Sequence, residues 1–141
     1  MVNQTPAQLT QRFIEEGLNG RNLGVLDELI AEDYEELDPM PDQRPGRQGV
    51  RDVFEALLHA FPDLHWEILE QISEGNKVVT RSVWTGTHEN DLGGIPATGK
   101  RVELKSITID EWESGVMVRS RFMNDDLEMQ RQLGLLAPAT G

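Results

Sequence analysis

With 141 residues, 38% of them hydrophobic, the chain has the size of one ordinary domain, and its apolar side chains suffice for a single core. Its 25 Asp and Glu against 13 Lys and Arg leave a formal net charge of −12, which repels phosphate backbones and anionic membrane surfaces, so neither nucleic acid nor a membrane is an expected partner. The absence of Cys excludes disulfides, thiolate chemistry and Cys-ligated metal.

Met1 to Thr10 has neither a basic nor an apolar leader-like stretch, and no run approaches the roughly 18 apolar residues of a membrane span, so a cytoplasmic domain over residues 1–141 is expected. Thr5 caps a first helix with Pro6 at its start, Leu9, Phe13, Ile14 and Leu18 fall on one face, and Asn19-Gly20 ends it. A second helix fits Leu23 to Ala31, and the acidic run Glu32 to Glu36 reads as its solvated end. Leu37 to Gly46, with three prolines, is a loop. A third helix runs from about Gln48 to Ala60 and is stopped by Phe61-Pro62-Asp63.

The period then changes to two. Leu64, Trp66, Ile68, Glu70 and Ile72 are expected on one face of a strand, and Ser73 to Asn76 turns into a second strand, Lys77 to Thr87. A Gly-rich connection leads to Arg101–Trp112, Glu113-Ser114-Gly115 turns the chain into Val116–Asn124, and a helix from about Asp126 to Gln132 ends at Gly134. Ala137 to Gly141 reads as a frayed tail. Helices followed by strands make an α+β order, which predicts one curved antiparallel sheet with helices packed across its concave side around a cavity.

Asp125 stands where the last strand stops and the last helix begins. It is a candidate proton-transfer group, but an N-cap role fits the same position, with Asp126 competing for it. Strand parity puts Met117, Arg119, Arg121 and Met123 on the side of Asp125, with Arg121 as its neighbour. His88, at a strand end beside Gly-rich sequence, is a candidate acid or carbonyl-orienting donor, or a turn residue. His59 and His65 are expected exposed, and the three scattered histidines argue against metal. The Gly93-Gly94 and Gly99-Lys100 pairs match no phosphate-binding motif, and there is no nucleophile elbow. Tyr34 is placed to offer a hydroxyl to a cavity. Phe13, Trp66, Trp84, Trp112, Phe122 and Met123 are core residues one by one and together an apolar pocket for a ring-shaped substrate.

Over nearly its whole length the chain resembles the SnoaL-like polyketide cyclases of the nuclear transport factor 2-like cone fold. The residues that carry the resemblance are Asp33-Tyr34, Gly46-Arg47-Gln48-Gly49-Val50-Arg51, Ala60-Phe61-Pro62-Asp63-Leu64, Gly86-Thr87-His88, Gly94 to Lys100, and Asp125 placed nine residues before Gly134. The resemblance implies an intramolecular aldol ring closure of a polyketide ester, run without metal or organic cofactor. Asp125 would be the general acid/base, His88 the orienting group, and Tyr34, Trp66, Trp84, Arg121 and Phe122 the substrate-binding residues. The chain departs from the family at Leu37-Asp38, where a His is common, and at Arg121, where a Trp is common. Arg121 suits an anionic or enolate-forming ligand, or a salt bridge that neutralises Asp125. Hydrolysis or isomerisation of a small ring compound, with Tyr34 and Asp38 around a water, is the alternative, as is a non-catalytic ligand-binding dimer. A homodimer or homotetramer through the sheet is expected, with Val79, Val83, Ile107 and Ile109 on its outer face.

Overall fold

A computed structural model describes residues 4–136; the tail expected at Ala137 to Gly141 lies outside them. Thr5 caps α1 (Pro6–Arg12): its hydroxyl accepts from the Gln8 N–H and the Gln8 side chain accepts from the Thr5 N–H. Such a capping box stabilises a helix start by about 1 kcal/mol. The helix then widens into a π-helical turn (Phe13–Asn19), which turns Ile14, Gly17 and Leu18 inward. Next come α2 (Val25–Leu29), β1 (Ile30–Glu36), α3 (Gly46–Ala60), β2 (His65–Glu74), β3 (Lys77–Thr87), β4 (Arg101–Glu113), β5 (Val116–Asn124) and α4 (Asp126–Gln132).

The architecture is α+β, a curved open sheet of five strands in the order β1-β5-β4-β3-β2, with the helices against one face. Three neighbouring pairs are antiparallel and follow chain order, and their hairpin turns place Gly75 and Gly115 at positive φ. The fourth pair corrects the sequence reading. The second helix stops at Leu29, not Ala31, and residues 30–36 form a strand parallel to β5 rather than a helix end. Its buried positions are Ile30 and Tyr34; Glu32, Asp33 and Glu35 are exposed at the edge, and Glu36 is half-buried.

A second correction concerns β2. The register slips between Ile68 and Glu70, so inward alternation ends there: Gln71 turns in and bonds Thr80 Oγ1 and the Ala7 carbonyl, while Ile72 is 66% exposed. On β3 the inward face is Val78, Thr80, Ser82, Trp84 and Gly86, and on β4 it is Val102, Leu104, Ser106, Asp110 and Trp112, all buried. The core fills the space between that face and Leu9, Ile14, Leu18, Val50 and Phe54 of the helices. Gly86 lets Phe61 lie on the sheet: a Cβ there would come within 2.9 Å of Phe61 Cβ.

Candidate functional site

The inward face carries an aromatic patch. Trp66 and Trp84 stack at 5.6 Å with 6° between planes, Phe61 meets Trp84 edge-on at 5.2 Å, and Phe122 stands 6.3 Å from Trp66. Beside Trp66 a hollow of about 390 Å3 opens, lined by Gln11, Glu15, His65, Trp66, Glu67 and Ile68. A larger, more open hollow along α1 and the π-helical turn is lined only by polar and charged side chains and shares Gln11 and Glu15 with the first.

His88 is fully buried against Phe61, ring to ring at 5.5 Å. Its Nδ1 accepts from the Thr98 backbone N–H at 3.2 Å and lies 3.0 Å from the Thr98 hydroxyl. An acceptor Nδ1 leaves the ring hydrogen on Nε2, and that buried Nε2 has no partner. An unmet donor in a dry place is costly unless a ligand oxygen meets it.

Asp125 does not sit in the water-poor chamber expected of a base. β5 ends at Asn124, whose side chain takes the inward position and accepts from Trp84 Nε1 at 3.1 Å. Asp125 follows with its side chain exposed, and its Oδ1 caps α4 by accepting from the Glu128 N–H at 3.2 Å. Its backbone lies opposite Lys105, while that of His88 lies opposite Lys100. Five residues along a strand separate those levels by about 16 Å, so the two are not brought together in the sheet. Arg121 is corrected too: it pairs with Ile109 on the outer face, exposed, away from Trp84 and Phe122, and among the described residues no ion pair joins it to Asp125. Tyr34, Trp66, Trp84 and Phe122 are on the inner face. His59 and His65 are exposed.

Sequence reasoning passed over a polar cluster at the other end of the sheet. Asp110 of β4, 4% exposed, accepts from Ser120 Oγ at 2.6 Å and from Thr10 Oγ1 at 3.0 Å, and Thr10 in turn accepts from Trp112 Nε1. Burial pushes the Asp110 carboxyl up from 3.8 to about 6, against the downward pull of the Ser120 and Thr10 bonds. On β1, Glu36 pairs with Ser120 in the ladder, and its carboxyl is also raised, by burial first and by the neighbouring Asp38 and Asp110 charges. Burial raises the Tyr34 phenol, and the Glu36 charge adds to it. The sequence signal was parity: Asp110 falls in step with Leu104 and Trp112, two apolar inward positions.

Between this cluster and the aromatic patch the inner face is reachable by solvent. Thr108 and Phe122, paired across β4 and β5, are only half-buried, although Ser106 and Asp110 on either side of Thr108 are buried. Ser106 Oγ has no hydrogen-bond partner.

No helix among the described residues is long and apolar enough to cross a membrane. The same fold recurs in solved structures. TsrD from Streptomyces laurentii superposes with a TM-score of 0.84 at 27% identity, covering 96% of this chain and 100% of its own. IdmH from Streptomyces antibioticus gives 0.80 at 28% identity over 93% of this chain and 99% of its own. A SnoaL-like polyketide cyclase from Agrobacterium tumefaciens gives 0.78 at 22% identity over 94% and 100%, which speaks for the fold alone. No curated protein matches the chain. The family model for SnoaL-like polyketide cyclases matches residues 8–133, almost the whole of the described domain, and the chain belongs to that family.

Proposed function

We propose that the protein closes a ring in an apolar, polyketide-type carbonyl compound by acid/base chemistry, an intramolecular aldol condensation that needs neither metal nor organic cofactor. Family membership supports the class of reaction. The observation that carries the reading is the buried, unpartnered Nε2–H of His88 beside an aromatic patch, since it is a preorganised donor for a substrate carbonyl oxygen. The resemblance gives Asp125 the task of taking a proton alpha to a carbonyl; its level lies about 16 Å from that of His88, so it would serve a carbonyl other than the one His88 meets. This asks the bound substrate to cover an exposed carboxylate, whose Oδ2 is not engaged by the α4 cap. Trp66, Trp84 and Phe122 would hold the rings, and Tyr34 would meet an oxygen substituent.

The test uses 2-tetralone, a flat bicyclic ketone with acidic α-hydrogens, in deuterium oxide. The wild type is expected to exchange those hydrogens faster than buffer, and His88→Gln to slow exchange roughly 100-fold, the usual loss for one oxyanion donor. Exchange that survives in Asp126→Asn and His88→Gln but is lost in Asp125→Asn makes Asp125 the base and removes His88 from the step; wild-type exchange at the buffer rate sinks the reading.

The same proposal includes a dimer through the outer face of the sheet. Ile72 and Val79, Val79 and Ile109, and Ile107 and Met123 are ladder pairs on that face, and Ile107 and Met123 are 45% and 71% exposed. Ile107→Lys is therefore expected to turn a dimer into a monomer in sedimentation without changing the circular dichroism. A wild type that sediments as a monomer at high micromolar concentration refutes it.

A further inference from the structure

We infer that the free edge of β2 is a docking site for an extended segment of a partner protein in which cationic and apolar residues alternate. The inference does not depend on the ring-closing reading. Three observations carry it, and the first is that one edge of the sheet is open. The β1 edge is taken up by the start of α3: the Arg47 guanidinium donates to the Ile30 carbonyl at 3.1 Å, and Gly46 lies so near the Glu32 carbonyl that a Cβ would stand 2.6 Å from its oxygen. The β2 edge is closed only at Trp66. There the Asn19 side chain accepts from the Trp66 N–H at 2.7 Å and donates to the Trp66 carbonyl at 2.8 Å, as a residue of a neighbouring strand would. Ile68, two residues on in the same ladder, faces the same edge, and so do Gln71 and Ser73, counted back from the Gly75-Asn76 turn. Among the described residues nothing bonds the edge-facing N–H and C=O groups of these three. The open stretch from Ile68 to Ser73 is about 16 Å long, the length of one ordinary strand.

The second observation is space. The hollow of about 390 Å3 is walled by four consecutive residues, His65 to Ile68, which point alternately to the two faces, with Gln11 and Glu15 beside them, so it lies at this edge and not over one face. The third is the chemistry of the walls. Trp66 and Ile68 stand on the inner side, while Glu67, Glu70 and Glu74 project on the outer side. β2 carries no Lys, Arg or Pro, the residues that commonly blunt an edge. Arg81 pairs with Glu70, whereas Glu15, Glu67 and Glu74 have no cation partner among the described residues. A strand added here alternates its side chains in the same way, so its apolar residues lie toward Trp66 and Ile68 and its cations toward Glu67 and Glu74. A second copy of the chain is the wrong occupant, because two β2 edges side by side would set their glutamates against one another.

The probe is the peptide acetyl-Lys-Val-Lys-Val-Lys-Val-Lys-amide, followed by titration calorimetry and by amide hydrogen exchange of the protein. Binding is expected to protect the Ile68, Gln71 and Ser73 amides and to weaken as salt rises. Glu67→Lys combined with Glu74→Lys should lower the affinity about 10-fold, and Ser73→Pro, which removes one edge N–H without touching a bond to β3, should lower it by a similar factor. Replacing the valines of the peptide by proline keeps its charge but forbids strand pairing, so that peptide should bind at least about 10-fold more weakly. A proline peptide that binds as well as the first, binding that leaves the three amides unprotected, or no binding at about 1 mM peptide overturns the inference. So does protection of those amides in the protein alone that grows with its concentration, the mark of a second copy on the edge.

Discussion

Gly49→Ala is expected to destabilise the fold by about 3 kcal/mol or more, although alanine is the better helix former. Gly49 lies in the first turn of α3, where the loop of residues 37–45 doubles back over the helix. A Cβ at this position would stand 1.8 Å from the Arg44 carbonyl oxygen and 2.9 Å from its carbonyl carbon. A backbone carbonyl cannot swing aside like the tip of a side chain, and this one is anchored: the Arg44 guanidinium grips both Asp52 oxygens at 2.7 and 2.8 Å. The propensity gain from Gly to Ala is about 1 kcal/mol, too small to offset moving the loop. Urea unfolding measures the difference, with Gly24→Ala as a control, since its new Cβ meets only the Asn22 side chain. A Gly49→Ala midpoint within the error of the wild type would show that the loop is free to yield.

Asp110→Asn is the second large effect, and its sign depends on pH. The Asp110 carboxyl rises from 3.8 to about 6 on folding, so the folded state holds its proton more tightly than the unfolded state. The stability this brings is complete below about pH 4 and is lost as pH rises through about 6. The rise corresponds to about 3 kcal/mol. Asn keeps the shape and never ionises. The stability of Asp110→Asn relative to wild type should therefore grow by about 3 kcal/mol between pH 4 and pH 7.5, leaving a variant that resists urea better near neutrality. Asp110→Ala lacks that advantage, because it strips the Ser120 and Thr10 hydroxyls of their acceptor and leaves a void. A stability difference between Asp110→Asn and wild type that stays flat with pH would show that Asp110 is ionised throughout at no cost.

Most of the fold was legible because the period of the apolar residues speaks clearly where one face is buried. Val50 and Phe54 mark α3, and the step from Val78 to Trp84 marks β3. β1 was illegible because five of its seven residues are acidic or aromatic in an order that fits a frayed helix end, and its partner, β5, comes some eighty residues later. The bulge in β2 hid Gln71 for the same kind of reason, since one extra residue inverts the alternation that sequence reading counts. In the site, His88 and the tryptophans announced themselves by type. Asp125 was singled out by its junction, and the structure gives that junction a cap and exposure. Asp110 was overlooked because Ile-Thr-Ile-Asp-Glu-Trp reads as an ordinary strand, and only a count of which residues share the side of Leu104 and Trp112 reveals a carboxyl among apolar neighbours.

The Thr10 hydroxyl reaches Asp110 across 100 residues of chain, and β1 waits for β5 before it has a neighbour. A nascent chain emerging from the ribosome therefore cannot settle its first third until residue 124 is clear of the exit tunnel, and meanwhile Ile30 and Tyr34 are bare to water. Topologies of this kind assemble slowly and reward a chaperone's shelter. Truncation before β5 should leave not a smaller protein but an aggregating one.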